Sequence, residues 1–324
     1  MAKNIAILGA SGLVGRTMLN VLEERNFPVG ELRLLASGKS AGMKLNFRAK
    51  KYEVQAVNKN SFKGIDIALF SAGKAVSRKW AAVAANEGCI VIDNSSAWRM
   101  EPGIPLIVPE VNAHALNDYR GIIANPNCST IQLVVVLNEI HKYFGLKRVV
   151  VSTYQSISGA GQKGIDKLMG ELNNEETRDK HKIAFNAIFH DITHESGHSD
   201  EEIKMINETR KIMNLPDLSL SVTCVRLPIL GGHGESVNIQ TGKPSSVDKI
   251  RQVMKDAKGI TLIDNPQQDD YPTPAISDGK DEVFVGRIRK DDPVDNGFYL
   301  WIVADNVRKG AATNAVQIAE LYLD

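Results

Sequence analysis

Short apolar strands alternate with helical patterns over the first 125 residues of the chain. The apolar run at residues 4–8 leads into a glycine-rich turn, and a helical pattern then continues through Met18 and Leu22. Further buried strands are predicted near residues 31–36, 51–57, 65–70, 89–93 and 121–124, with an alanine-rich helix over 76–87. This alternation predicts an α/β fold with a Rossmann-like, doubly wound parallel sheet.

The pattern changes after residue 127, where the strands become longer and richer in β-branched residues. Strands are predicted at residues 147–155, 219–230, 235–242, 283–289 and 297–304, and helices at 161–173, 199–214 and 246–257. Long strands with few helices between them indicate an α+β domain on a mostly antiparallel or mixed sheet. A last alanine-rich helix, at about 309–323, is expected to pack against the first domain.

The length of 324 residues favours two domains, because a single core rarely grows beyond about 300 residues. We predict a first domain at residues 1–127, completed by the C-terminal segment 306–324. The second domain is predicted at residues 128–305.

The charges nearly balance, with 39 basic and 38 acidic residues and a formal net charge of +1. Neither nucleic acid nor an anionic membrane surface is therefore expected as a partner. No apolar stretch approaches the ~20 residues of a membrane-spanning helix, and the strand at residues 4–8 leaves no room for a signal peptide. Three cysteines are an odd number, which favours free thiols and predicts a cytoplasmic location.

The most informative thiol is Cys128, in the sequence Asn-Pro-Asn-Cys-Ser-Thr at residues 125–130. Pro126 and Asn127 favour a helix start, and an apolar run suited to a buried helix follows. Unpaired backbone N–H groups at a helix N-terminus stabilise a thiolate. Cys128 is therefore a candidate nucleophile. The alternative is a small buried residue, which is the role of most single cysteines.

The glycine-rich turn at residues 9–15 has the spacing G-x-x-G-x-x-G between a strand and a helix, which is typical of dinucleotide binding. The residues of this turn expected to bind the cofactor are Gly9, Ser11, Gly12, Leu13 and Val14. The second strand ends in Ser37, Gly38, Lys39 and Ser40, without the acidic residue that an NAD site uses for the ribose. This favours NADP, and the alternative for Lys39 is a polar surface turn.

Two residues of the second domain are suited to serve a thiol. His233 lies among glycines, and a histidine side chain has an ordinary pKa near neutrality, which suits acid–base catalysis. Arg226 shares the inward face of its strand, where it meets either a bound carboxylate or a structural acidic partner.

Ser199 and Glu202 form a predicted capping box, and Glu201 and Lys204 then stand at positions i and i+3 of one helix. The ordinary interpretation of that pair is a surface ion pair, which contributes little. Arg99 has two interpretations, a phosphate ligand or a cover for a tryptophan, and Gln155 ends a strand before a glycine-rich turn.

Histidines at positions 190, 194 and 198 have the spacing of ligands on one helix face. The residues between them are poor helix formers and no cysteine is near in sequence, so no metal is expected.

Taken in order, these segments resemble the aspartate-β-semialdehyde dehydrogenase family over essentially the whole chain. The matching segments are residues 9–15, 95–100, 125–130, 154–161, 201–205 and 309–315, together with Arg226 and His233. The resemblance implies the reversible reaction of L-aspartate-β-semialdehyde, phosphate and NADP to L-aspartyl-β-phosphate and NADPH, run in the cell toward the semialdehyde for lysine, methionine and threonine synthesis. It also implies a homodimer formed through the second domain.

The resemblance assigns the site residues as follows. Cys128 attacks the carbonyl, His233 moves the proton and Gln155 positions the substrate. Arg226 binds the substrate carboxylate, Glu201 its amino group, and Arg99 and Lys204 the phosphate. The cofactor contacts beyond the glycine turn are Ser37, Gly38, Lys39, Ser40, Ser71, Ala72, Gly73, Ser158, Gly159 and Asn306. The chain departs from the family pattern at Lys39, where an arginine is usual, and in the histidine-containing segment 188–199.

Two other functions compete with this one. An N-acetyl-γ-glutamyl-phosphate reductase uses the same chemistry on an acylated substrate, but Glu201 supplies the carboxylate that a free amino group needs. A non-catalytic NADP-binding sensor would be expected to lack some of Cys128, Gln155, Arg226 and His233, and all four are present.

Overall fold

The structure is a computed structural model that describes residues 1–175 and 179–323. Residues 176–178 of the predicted second domain and residue 324 of the predicted C-terminal segment lie outside this part. The chain divides into two compact units, one of residues 1–127 with 311–324 and one of residues 128–310.

Unit 1 contains β1 (Lys3–Leu8), α1 (Leu13–Glu24), β2 (Val29–Ala36), β3 (Lys44–Phe47), β4 (Lys50–Ala56), β5 (Ile67–Phe70), α2 (Lys74–Asn86), β6 (Ile90–Asp93), α3 (Pro109–Asn112) and β7 (Ile122–Ala124). Among the described residues its sheet has the order β3-β4-β2-β1-β5-β6-β7. All neighbours are parallel except β3 and β4. The direction of strand order reverses between β1 and β5, which is where ligands bind in such sheets.

The side chains of β1 alternate between the two faces of this sheet, as a buried central strand requires. Ile5 and Ile7 lie in the core that α1 covers, whereas Ala6 and Leu8 lie in the core that α2 covers. The first of these cores also contains the apolar residues of α9 (Thr313–Glu320), and the chain reaches that helix through a π-helical turn, Arg308–Ala312.

Unit 2 contains α4 (Cys128–Phe144), β8 (Leu146–Gln155), α5 (Gln162–Leu172), β9 (Ile188–Phe189), α6 (Asp200–Met213), β10 (Ser219–Arg226), β11 (His233–Thr241), α7 (Val247–Asp256), β12 (Ile260–Leu262), α8 (Pro274–Ser277), β13 (Val283–Lys290) and β14 (Gly297–Ala304). Its described sheet has the order β12-β13-β14-β11-β8-β10-β9 and is mixed, with β8 and β10 parallel and β8 and β11 antiparallel.

Helix α4 lies on one face of this sheet, and its first three turns are almost completely buried. Its residues from Ser129 to Leu137 are all buried, because the helix is enclosed by strands of the sheet and by α6 and α7. This burial fixes the helix N-terminus, and with it Cys128. None of the helices in the described part of the chain is long and apolar enough to span a bilayer.

The prediction of an α/β fold with a doubly wound sheet followed by an α+β domain is confirmed. Two local predictions were incomplete. The strand predicted near 51–57 is one arm of a hairpin with β3. The last helix is shorter than residues 309–323, because the π-helical turn occupies its predicted start.

Candidate active site

The sulfur of Cys128 faces the ring of His233 at the first residue of α4. Its Sγ lies 3.4 Å from Nε2 of His233. Cys128 is partly exposed, whereas Cys89 and Cys224 are buried. Burial raises the pKa of Cys89 to about 11, and it raises the pKa of Cys224 as well. Since only a thiolate is a strong nucleophile, Cys128 is the thiol suited to covalent chemistry.

His233 begins β11 and is completely buried. The backbone N–H of Ser156 donates to Nδ1 of His233 at a distance of 3.0 Å. The proton of the neutral ring therefore belongs on Nε2, the atom that faces Cys128. Burial, and then the charge of Arg226, lower the pKa of His233 to about 3. The imidazole is therefore neutral at pH 7 and presents an N–H toward the sulfur.

Asn306 anchors the two segments that hold His233. Its side chain is buried, and Oδ1 accepts from the backbone N–H of Gly232 at 3.1 Å and from Ser156 Oγ at 3.0 Å. Its Nδ2 donates to Ser158 Oγ at 3.0 Å. The residue before His233 and the turn after β8 are thus fixed by one amide, which limits the movement of the imidazole.

Strands β8 and β10 are parallel neighbours and end level with each other at Gln155 and Arg226. Arg226 is in phase with the buried residues Leu220, Val222 and Cys224 of β10, and it is itself half-buried. Its Nη1 donates to the carbonyl of Ser156 at a distance of 2.8 Å, and Gln155 Nε2 donates to Ser129 Oγ at a distance of 3.0 Å. In the part of the chain that the structure describes, Arg226 forms no hydrogen bond to a carboxylate. The charge of Glu201 acts on this guanidinium, so both a bound carboxylate and a structural acidic partner stay open for it.

Gly159 keeps a space open beside these groups. A Cβ at this position would lie 3.1 Å from Arg226 Nη1 and 3.3 Å from His233 Nε2. Any larger residue would therefore crowd the histidine and the arginine.

Helix α6 begins with the predicted capping box. Ser199 Oγ accepts from the backbone N–H of Glu202, and the Glu202 carboxylate accepts from the backbone N–H of Ser199. Lys204 Nζ lies 3.5 Å from Glu201 Oε2, so the predicted i, i+3 pair forms on this helix. Both side chains are partly exposed and lie in its first two turns.

The glycine turn of unit 1 fits the pyrophosphate of a dinucleotide. Gly12 is the N-cap of α1, no side chain caps this helix, and no acidic residue lies in its first turn. Its first N–H groups therefore suit an anion. Gly9 has φ +92°, and a Cβ there would lie 2.2 Å from the carbonyl oxygen of Ser71. A Cβ on Gly15 would lie 2.2 Å from the carbonyl oxygen of Gly9, so only glycine is accommodated at either position.

Two further predicted cofactor segments lie at the same edge of the sheet. Residues 37–40 follow β2 and residues 71–73 follow β5, and β1 lies between these two strands. Ser11 Oγ donates to Ser40 Oγ over 3.1 Å, which connects the glycine turn to the first of them. Like α1, α2 begins with a glycine N-cap, Gly73, and without a side-chain cap. The structure thus brings the predicted cofactor residues of unit 1 together.

Both units match family models of known enzymes. Residues 4–119 match the semialdehyde dehydrogenase NAD binding domain, and residues 137–309 match the semialdehyde dehydrogenase dimerisation domain. The aspartate-semialdehyde dehydrogenase of Aquifex aeolicus (strain VF5) is 56% identical over 335 residues, which cover 100% of this chain and 98% of that protein. The chain belongs to the aspartate-semialdehyde dehydrogenase family.

Other members of the aspartate-semialdehyde dehydrogenase family agree in sequence and in fold. The Bacillus subtilis (strain 168) enzyme is 51% identical, with 98% of this chain and 96% of that protein covered. The crystal structure of aspartate semialdehyde dehydrogenase II from Vibrio cholerae, complexed with ASA, has a TM-score of 0.95 at 48% identity, covering 99% of this chain and 98% of that one. The predicted family and the predicted enzyme class, an oxidoreductase with a nicotinamide dinucleotide domain, are confirmed.

Arg99 is the one residue of unit 1 that is assigned to phosphate. It is buried, with Nε donating to the carbonyl of Asn125 over 2.9 Å and Nη2 to the carbonyl of Asn94 over 2.8 Å. The guanidinium is thus fixed beside the segment that leads to Cys128. Its role toward phosphate stays a prediction.

The three histidines that resembled a metal site do not lie on one helix face. His194 Nε2 lies 2.9 Å from Asp200 Oδ1, and His198 Nδ1 lies 2.9 Å from Ser196 Oγ. His190 instead approaches Gln155. Within residues 1–175 and 179–323, no group of three or more potential ligands is placed to hold a metal ion.

Sequence reasoning missed two residues that contact the predicted site residues. Ser156 orients His233 through its backbone N–H, which any residue except proline supplies, so the sequence carries no signal for it. His190 was considered only as a metal ligand, and its place beside Gln155 depends on the pairing of β9 with β10. That two-residue strand has no pattern that a sequence could reveal.

Proposed function

We propose that this chain catalyses the NADP-dependent reductive dephosphorylation of L-aspartyl-β-phosphate to L-aspartate-β-semialdehyde, through a thioester on Cys128. The observation that carries the proposal is the partly exposed residue Cys128, whose sulfur lies 3.4 Å from the buried, neutral imidazole of His233. In the cell this reaction would feed lysine, methionine and threonine synthesis in the cytoplasm.

The chemistry divides between the thiolate and the imidazole. The Cys128 thiolate attacks the carbonyl carbon of the acyl phosphate, the bond from that carbon to the phosphate oxygen breaks, and inorganic phosphate leaves. When bound, the nicotinamide cofactor would supply a hydride to the carbonyl carbon of that thioester. His233 donates its Nε2 proton to the oxygen of the resulting adduct, then takes the hydroxyl proton back as the aldehyde forms and the thiolate departs.

The remaining residues recognise the substrate. Arg226 binds the α-carboxylate, since its guanidinium lies on the inward side of β10. That guanidinium donates to the backbone carbonyl of Ser156. Gln155 orients the acyl group, and Glu201 binds the amino group. Arg99 and Lys204 are each proposed to bind phosphate.

We propose NADP as the cofactor because residues 37–40 contain a lysine and two serines but no carboxylate. An acidic residue there would repel a 2′-phosphate, whereas Lys39 would attract it. In unit 2, Ser158, Gly159 and Asn306 are proposed to contact the nicotinamide end. A homodimer formed through unit 2 is proposed from the dimerisation-domain match, and light scattering on the purified protein would measure its mass.

The test follows NADPH absorbance in the phosphorylating direction, with L-aspartate-β-semialdehyde and NADP, with and without phosphate. Parallel reactions contain NAD, or N-acetylglutamate semialdehyde. We expect phosphate-dependent reduction of NADP with the aspartate compound only. Reduction of NAD at an equal rate would refute the cofactor assignment, and turnover of the acetylated compound would indicate the N-acetyl-γ-glutamyl-phosphate reductase activity instead.

Cys128→Ala tests the nucleophile. This variant should lose turnover completely while its NADP affinity and its thermal unfolding stay close to wild type. Cys89→Ala, which removes a buried thiol of unit 1, is the matched control and should remain active. Turnover by the Cys128 variant would falsify the thioester mechanism.

A further inference from the structure

His190 lies at the ends of three adjacent strands of unit 2. β9 pairs with β10 so that Ile188 is opposite Arg226, and β10 pairs with β8 so that Arg226 is opposite Gln155. His190 follows β9 directly. The short pairing of β9 therefore delivers this imidazole to the two residues assigned to the substrate.

The contacts of His190 go to those same two side chains. Its Nε2 lies 3.0 Å from Oε1 of Gln155 and 3.4 Å from Nη2 of Arg226. The other end of the Gln155 amide is already fixed, because its Nε2 donates to Ser129 Oγ. With His190 at Oε1, both ends of the amide have a partner, and its plane is set.

The charge state of His190 is compatible with this role. Burial, followed by the charge of Arg226, lowers the pKa of this imidazole, and Lys204 acts in the same direction. Glu201 and Glu202 act in the opposite direction but are the weaker influences on balance. A neutral ring tolerates a guanidinium at 3.4 Å, whereas an imidazolium there would repel it.

We propose that His190 is a positioning residue of the reaction: its Nε2–H donates to Oε1 of Gln155 and fixes that amide, and the neutral ring packs against the Arg226 guanidinium without a hydrogen bond to it. This inference rests on the proposed function, in which Gln155 orients the acyl group and Arg226 binds the carboxylate. His190 itself touches neither the reacting carbon nor the sulfur in this scheme.

Three variants test the proposal by steady-state kinetics with L-aspartate-β-semialdehyde. His190→Leu keeps the bulk and removes the hydrogen-bond donor, whereas His190→Gln keeps a neutral donor. His194→Leu is the matched control, because it removes an imidazole of the same segment that contacts the exposed Asp200. We expect His190→Leu to lower kcat/KM about tenfold, the size of one lost hydrogen bond felt in the transition state. His190→Gln and the control should stay within about twofold of wild type.

A second measurement does not depend on turnover. Iodoacetate carries a carboxylate and iodoacetamide does not, so the ratio of their rates of Cys128 alkylation reports whether a positioned cation lies near the sulfur. His190→Leu should lower this ratio several-fold, and His190→Gln should restore it.

The possible results distinguish the positioning role of His190 from the proposed function of the protein. Equal kinetics and equal alkylation ratios for His190→Leu and wild type would overturn the positioning role, and so would a loss in His190→Gln as large as that in His190→Leu. If the wild-type protein failed to reduce NADP, the proposed function would fail, while the alkylation ratios would still decide whether His190 positions Arg226. If His190→Leu did not fold, His190→Gln would decide, since a tenfold loss there refutes the proposal.

Discussion

Gly310 is the residue whose enlargement should most directly disturb the nucleophile. A Cβ at this position would lie 2.8 Å from Cβ of Cys128 and 3.2 Å from its Cα. Carbon atoms are in contact at about 3.5–4.0 Å, so in Gly310→Ala the two residues must move apart by at least about 0.7 Å. The backbone of Cys128 belongs to a buried helix, so the movement falls on the thiol and on the π-helical turn that contains Gly310.

A shift of that size matters because Sγ and Nε2 are already 3.4 Å apart. Misplacement of a reacting group by about 1 Å costs on the order of 100-fold in rate. We therefore expect Gly310→Ala to lower kcat between about tenfold and 100-fold, at a cost in stability of about 1–3 kcal/mol from overpacking. NADPH absorbance measures the rate, and thermal unfolding measures the stability.

Gly242→Ala is the control for this experiment. A Cβ there would lie 3.4 Å from the carbonyl oxygen of Phe144, an ordinary contact at the opposite end of α4. It should keep wild-type kcat. A kcat of Gly310→Ala within twofold of wild type would refute the reasoning, because it would mean that the contact is relieved without moving the thiol.

Two further predictions concern buried ionisable groups. Burial raises the pKa of Glu235 well above its usual range, so folding keeps this carboxyl protonated and wild-type stability falls as pH rises above about 4.5, where the unfolded chain ionises. Glu235→Gln should therefore raise Tm relative to wild type at pH 8 but not at pH 4, and a difference independent of pH would contradict this. Peptide mapping after brief iodoacetamide treatment at pH 8 should find Cys128 labelled well before Cys89 and Cys224, whose thiols burial keeps protonated; equal labelling would argue against the assignment.

The sequence predicts the order of strands and helices well because the apolar periodicity of both units follows burial. It does not predict the hairpin of β3 and β4, whose two-residue turn consists of Arg48 and Ala49 at φ 47° and 59°. Such turns usually use Asn-Gly, so these residues give no turn signal. The backbone N–H of Arg48 donates to Glu23, and its side chain donates to the carbonyl of Phe27. Contacts distant in sequence therefore hold a conformation that local preference disfavours.

In the candidate site, too, the sequence predicts some features, and contacts between distant residues determine the others. Cys128, Gln155, Arg226 and His233 are each weak signals alone, and they are recognisable because their segments resemble the family in the same order. The groups that orient them are not, since the N–H of Ser156 comes from the backbone and the approach of His190 comes from a strand of two residues. The sequence gives the chemistry of each side chain, but the tautomer of an imidazole depends on neighbours that only the fold brings together.

The return of the chain to unit 1 has a consequence for how the protein is synthesised. Ala312, Ala315, Val316 and Ile318 lie in the core beside β1 and α1, yet they leave the ribosome only after the whole of unit 2. At about 5–20 residues per second, translation of residues 128–310 takes on the order of ten seconds or more. Throughout that interval the nascent first unit carries an uncovered apolar face that chaperones can bind, whereas unit 2 is contiguous and can fold as soon as it emerges.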